Sequence, residues 1–71
     1  MTKLDEYDQI DRQGWESLID RWIFDQRNRE ILKRRLLDGV RFEPLAEEFS
    51  LSVQQTKTIV KRGLDRLIRH I

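Results

Sequence analysis

From residue 52 to residue 62 the chain reads Ser-Val-Gln-Gln-Thr-Lys-Thr-Ile-Val-Lys-Arg. Its polar members are amides, hydroxyls and cations. Wound as a helix, the stretch and its continuation put Gln54, Gln55, Thr58, Lys61, Arg62, Asp65 and Arg69 on one face, with Lys57 at the edge. Amides and long cations are the side chains that hydrogen-bond base edges and phosphate oxygens when a helix enters a major groove. Gln54, Gln55, Lys57, Thr58 and Lys61 are therefore candidates for base edges. Ser52 and Arg62, with Lys33 and Arg34 from further upstream, are candidates for phosphates.

Other chemistries find little support. The chain has no cysteine, so it offers neither a disulfide nor a thiolate metal site. Its single histidine, His70, lies next to the C-terminal residue, where the helix is expected to fray. None of the many carboxylates sits with a histidine, a metal-spaced partner or a glycine loop, and neither a P-loop nor a dinucleotide fingerprint is present. Glu47 and Glu48 are most simply solubilising. The reading is of a non-enzyme with no metal, no cofactor and no small-molecule substrate.

The elements that must position this face follow from local rules. Pro44 suits the first position of a helix, where its missing amide has no partner to lose, and predicts a short helix over residues 44–49. Leu45, Ala46 and Phe49 form its apolar side, and Glu47 and Glu48 point to water. Residues 50–52 are long enough only for a turn, with Leu51 as its apolar plug. Ser52 then restarts the helix as N-cap, with Gln55 completing a capping box. The second helix is predicted to run over about residues 53–70, its buried stripe being Thr56, Ile59, Val60, Gly63, Leu64, Leu67 and Ile71. A short helix, a tight turn and a longer helix with a basic outer face is the plan of a helix-turn-helix reader.

These residues also resemble a known family. Leu45-Ala46-Glu47-Glu48-Phe49-Ser50-Leu51-Ser52, then Lys57-Thr58-Ile59, then Lys61-Arg62-Gly63-Leu64-Asp65-Arg66-Leu67, is similar to the fourth conserved region of bacterial sigma factors. Upstream, Arg29-Glu30-Ile31-Leu32 with Arg35, Leu36, Asp38 and Gly39 resembles the helix that precedes that family's reader. The resemblance implies binding to a promoter element and contact with the RNA polymerase flap. Three positions depart from the pattern. Ser50 stands where the family has glycine, implying a positive φ there; Val53 replaces a frequent arginine and Thr56 a frequent valine. Val53 alters the presumed reading surface, so the resemblance implies DNA binding more strongly than it implies a particular promoter sequence.

Composition bounds the rest. Seventy-one residues make one small domain, which must bury nearly all its large apolar side chains. Net charge is only +1, but it is segregated. Residues 1–20 carry two basic side chains against six acidic ones, a net of −4, and residues 52–71 carry five against one, a net of +4. A basic end of this kind suits phosphate. No apolar run approaches the roughly 20 residues of a membrane span, and the N-terminus lacks a signal-peptide pattern, so a cytoplasmic protein is expected.

Residues 1–13 form an acidic segment with Leu4, Tyr7 and Ile10 three apart, readable either as helical turns laid on the body or as a solvated tail. Residues 14–71 form the domain. Trp15, Leu18, Ile19, Trp22 and Ile23 define an amphipathic helix reaching about residue 24, its tryptophans closing the core. Asp25 caps a helix over residues 26–38, ended by Gly39 in the left-handed conformation. Ile31, Leu32 and Leu36 face inward on it; Arg27, Arg29, Lys33 and Arg34 face outward. Arg35 is expected to pair with Glu47 or Glu48 as a structural group, and Phe42 to staple the next helix from the linker. The fold expected is all-α, a bundle of about four helices containing a helix-turn-helix.

The function that follows is a transcription regulator, bacterial or phage-encoded, that binds double-stranded DNA in a sequence-specific manner. One helix in a groove covers about 600–1,000 Å² of protein, too little for tight specific binding. Help would come from RNA polymerase or from a homodimer formed through Val60, Ile68 and Ile71. Two alternatives stand beside it: a protein-interaction module docking through the Trp15 and Trp22 helix, and the DNA-recognition part of a phage packaging protein. The chain is too short to hold a complete sigma factor, so a stand-alone regulator is expected.

Overall fold

Side-chain caps decide where three of the helices begin. In the computed structural model, which describes residues 11–71, Asp11 accepts the Gly14 amide at 2.7 Å and starts α1 (Arg12–Trp22). Asp25 accepts the Asn28 amide at 3.1 Å and starts α2 (Gln26–Leu36). Ser52 starts α4 (Val53–Ile68) with the expected capping box: its hydroxyl accepts from the Gln55 amide and its own amide donates to Gln55 Oε1, each at 3.0 Å. Two of the four orphan amides of α4 are satisfied this way.

The remaining helix, α3 (Phe42–Glu48), has no side-chain cap at Arg41. It starts two residues before the expected position, with Phe42 inside it rather than in the linker. Pro44 is its third residue. That position still lies in the first turn, where a missing amide costs no hydrogen bond, so proline marks the turn and not a single position within it. Glu43 adds a negative charge at the positive end of the helix.

The helix ends depart from expectation by one or two residues. α1 spans residues 12–22, so Phe24 lies beyond it and is 67% exposed. The guanidinium of Arg29 donates to the Ile23 carbonyl and closes the α1–α2 corner. α2 ends at Leu36, after which Gly39 takes a φ of +68° and the Val40 amide returns to the Arg34 carbonyl at 3.1 Å. Of the expected segment 1–13, residues 1–10 lie outside the described residues; Arg12 and Gln13 already belong to α1.

Between α3 and α4 the chain reverses through Ser50, with a φ of +56°. Leu51 N–H donates to the Ala46 carbonyl at 2.8 Å and Ser50 N–H to the Glu47 carbonyl at 3.2 Å, the paired bonds of a Schellman helix end. The turn therefore requires a left-handed residue, and serine holds it at a steric cost that glycine avoids.

All four helices contribute to one core. Ile19, Ile31, Leu32, Leu45 and Leu67 are fully buried, with Ile23, Ala46 and Val60 beside them and Trp15, Leu18, Trp22, Phe42, Phe49, Leu51 and Ile59 packed around. α4 packs most extensively on α2 and α3. Gly63 lets it approach α2 closely: a Cβ there would lie 2.5 Å from Leu32 Cδ1 and 2.9 Å from Leu32 Cδ2. Thr56 is fully buried, yet its hydroxyl donates to the Ser52 carbonyl at 2.9 Å, so no polar group is stranded. The described residues form an all-α bundle of four helices without a strand.

The tryptophans lie half-buried against the core, as the lid reading requires. Trp22 stacks on His70 with centroids 3.5 Å apart and planes 1° from parallel, so the C-terminal turn is tied to α1. Ile71, expected on the buried stripe, is 48% exposed because α4 ends at Ile68. Val60, expected as a leftover dimer contact, is buried in the core and cannot meet a second copy.

Candidate functional site

On α4 the buried residues Thr56, Val60, Gly63 and Leu67 form one stripe. At 100° per residue, Gln54, Thr58, Lys61 and Asp65 fall on the diametrically opposite side. Gln54, Lys61 and Asp65 are exposed, as are the flanking Gln55, Lys57, Arg62, Arg66 and Arg69; Thr58 is half-buried. The structure thus gathers Gln54, Gln55, Lys57, Thr58, Lys61 and Arg62 on one outward face, with Ser52 at its head.

Their hydrogen-bonding capacities differ. Gln54 and Lys61 are committed to nothing else among the described residues. Gln55 has spent its carbonyl on the capping box and keeps its NH₂ group for a ligand. Thr58 donates to the Gln54 carbonyl at 3.0 Å, which leaves its oxygen as an acceptor. Lys57 stands 5.7 Å from the centre of the Phe42 ring, a cation–π distance that holds the side chain toward α3. Ser52 Oγ accepts from Gln55 and retains its own proton to donate.

Lys33 and Arg34 stand elsewhere. Lys33 Nζ lies 2.8 Å from Asp20 Oδ1. Arg34 forms a fork on Glu48, with Nε to Oε1 at 2.9 Å and Nη2 to Oε2 at 2.8 Å, and reaches Asp38 at 3.3 Å. The Glu48 hydrogen bond, followed by the Glu48 charge, raises the Arg34 pKa. Both residues border a depression with Glu30, Glu48 and Phe49 that no α4 residue lines. They join helices, and a phosphate would have to displace carboxylates to reach them.

Arg34 thereby takes the role expected of Arg35. Arg35 donates to the Val40 carbonyl at 3.1 Å and lies 4.3 Å over the Phe42 ring. It is structural, as anticipated, but its partners are a carbonyl and an aromatic face. The helical phase of α2 turns Arg34, one residue earlier, toward α3. On the same side of the molecule Arg12 Nη2 pairs with Asp38 Oδ1 at 2.9 Å. That hydrogen bond is the main cause of a lowered Asp38 pKa, with Arg34 adding to it.

The ion pairs divide the cations into two sets. Lys33 and Arg34 are neutralised by carboxylates on neighbouring helices, and Arg12 by Asp38 in the turn after α2. Among the described residues no carboxylate pairs with Arg21, Arg27, Arg29, Arg35, Arg41, Lys57, Lys61, Arg62, Arg66 or Arg69. Six of the unpaired ones, Arg27, Lys57, Lys61, Arg62, Arg66 and Arg69, lie on or beside the outward face of α4. Arg27 and Arg66 were not singled out as site residues. Arg27 stood on the expected basic face of its helix, but only the packing of α2 against α4 shows that it borders the groove that Thr58 and Arg62 also line.

No family model matches the chain, and no curated protein and no solved structure matches it either. No helix among the described residues is long and apolar enough to cross a membrane, and none of their His, Asp or Glu side chains cluster as a metal site.

Proposed function

We propose that the protein is a transcription regulator that binds double-stranded DNA, with α3 and α4 acting as a helix-turn-helix and the outward face of α4 lying in the major groove. The observation that carries this reading is the placing of the cations: carboxylates neutralise Arg12, Lys33 and Arg34, whereas Lys61, Arg62 and Lys57 project from α4 without an acidic partner among the described residues. A groove about 12 Å wide admits one helix. On this reading Gln54, at the exposed N-terminal end of α4, meets an adenine edge, Lys61 a guanine edge, and Thr58 either. Arg62 and the Ser52 hydroxyl reach phosphate on the two sides, and the positive end of the α4 dipole favours the anion near Ser52. The resemblance of residues 29–67 to sigma region four points the same way and suggests tethering to RNA polymerase.

Asp65 sits on the same face one turn beyond Lys61, so the bases are read by residues N-terminal to it. With about four phosphate contacts, the logarithm of the binding constant should fall against the logarithm of salt with a slope near −3.6. The half-burial of Trp15 and Trp22, and the stacking of Trp22 on His70, weaken the alternative of docking through those tryptophans. The reading is tested by selecting bound duplexes from a random pool and weighing the free protein. A recovered motif with the expected salt dependence supports it; recovery of no preferred sequence would remove the sequence-specific part. A palindromic motif with a dimer mass would indicate a second copy, and an asymmetric motif with a monomer mass would indicate tethering.

A further inference from the structure

With Lys33 and Arg34 held by Asp20 and Glu48, the phosphate contacts of the DNA-binding reading need another source. A groove of about 380 Å³ runs between the α1–α2 corner and α4. Ile23, Leu32 and Ile59 make its floor, and three arginines stand on its rim: Arg27 from the first turn of α2, and Arg62 and Arg66 one turn apart on α4. Among the described residues Arg27 hydrogen-bonds only the neutral Asn28 Oδ1, at 3.4 Å from Nε and Nη2. Arg66 lies 5.0 Å over the ring of Phe24, the side chain left 67% exposed beyond α1. The one carboxylate on the lining, Asp25, has an oxygen engaged in capping the Asn28 amide.

We infer that this groove carries the sugar–phosphate backbone of the DNA strand flanking α4, with Arg27, Arg62 and Arg66 each meeting a phosphate; the inference rests on α4 being the helix that enters the duplex. The planar guanidinium fork matches phosphate oxygens in a way a lysine does not. Phe24 holds Arg66 through a cation–π contact, so less side-chain freedom is lost on binding. The apolar floor lowers the local dielectric and strengthens the field of the three charges. The groove also meets the reading face at Thr58 and Arg62, so a strand whose bases face Gln54 and Lys61 passes along it. This continuity, with three cations against one carboxylate, favours a nucleic-acid strand over an acidic peptide.

The test uses the full chain and a fluorescein-labelled duplex of mixed sequence, with anisotropy read from about 50 to 200 mM salt. Arg27→Ala and Arg66→Ala should each reduce the magnitude of the salt slope by about 0.9, and the double variant by about 1.8. Lys33→Ala should leave the slope unchanged, and melting curves confirm that each variant is folded. If folded Arg27→Ala and Arg66→Ala proteins keep the wild-type slope, the inference is overturned while the reading of α4 stands. If the wild type shows no salt-dependent binding to duplex, both fall. Unchanged duplex slopes together with lost binding of a synthetic acidic amphipathic peptide would assign the groove to a protein partner and likewise overturn the inference.

Discussion

Gly63→Ala probes how α4 is held at the distance that aims its outer face. In the middle of a helix this exchange ordinarily stabilises by about 0.5–1 kcal/mol, because alanine has less backbone freedom to lose. Here the new Cβ would lie 2.5 Å and 2.9 Å from the two terminal carbons of Leu32 and 3.1 Å from its Cγ. Favourable carbon–carbon contact lies near 3.5–4.0 Å, so the leucine must retreat by roughly 1 Å. Leu32 is fully buried, so its retreat disturbs the packing around it, and overpacking of this kind costs about 1–3 kcal/mol. The net is a destabilisation of roughly 0–2.5 kcal/mol. At its midpoint of about 1 kcal/mol, Tm falls by about 4–8 °C in a domain of this size. Thermal melting followed by circular dichroism measures it, and a companion variant sharpens it. Leu32→Val in the Gly63→Ala background should cost less than in the wild type by at least about 0.5 kcal/mol, because the smaller side chain accommodates the added methyl. A Gly63→Ala protein that melts higher than wild type would show that α2 and α4 do not approach as closely as described.

Other consequences follow from the turn, the cap and the ion pairs. Ser50→Gly should stabilise by up to about 1 kcal/mol in urea unfolding, since relief of a left-handed strain of about 1–2 kcal/mol outweighs the added freedom of the unfolded glycine; destabilisation would contradict the positive φ. Ser52→Ala removes one half of the capping box and should cost about 0.5–2 kcal/mol, whereas Ser52→Asp should retain most of the stability. The Asp38 carboxyl has a pKa held below its ordinary value by Arg12 and then Arg34, so its contribution is present above the ordinary carboxylate range and lost as pH falls through the depressed value. Acid titration of Asp38→Asn should accordingly show a shallower loss of stability below about pH 4 than the wild type, and an identical acid limb would argue against the pair.

What could be read from the residues alone was local. Ser52 and Gln55 are three apart and satisfy one another's backbone, so their box needs no tertiary information. The buried stripe through Thr56, Val60, Gly63 and Leu67 follows from period alone, and its opposite face follows with it. The positive φ at Ser50 was implied by the family resemblance, which has glycine at that position, and not by the serine itself. Tertiary phase was not legible. Arg34 and Arg35 are adjacent and chemically alike, and the angle at which α2 meets α3 decides which one reaches Glu48. Phe24 looked like one more member of an apolar helix, but Asp25 caps α2 so soon afterwards that the chain turns and leaves the ring outside. For the same reason the Arg27, Arg62 and Arg66 groove could not be seen, since its rim joins side chains from two helices 35 residues apart in sequence. Thr56 shows the reverse case. A polar residue on a core stripe looks like a misfit until its hydroxyl is seen to bond the carbonyl one turn back.

Charge reversal on the outer face of α4 bears most directly on the account. Lys57→Glu/Lys61→Glu alters two exposed residues; it removes the Lys57 contact with the Phe42 ring, but the fold should survive and its melting curve should confirm this. Affinity for duplex DNA at about 0.1 M salt should fall at least about tenfold, because two phosphate-attracting charges become repulsive. Unchanged affinity in the folded double variant would contradict the claim that this face meets DNA.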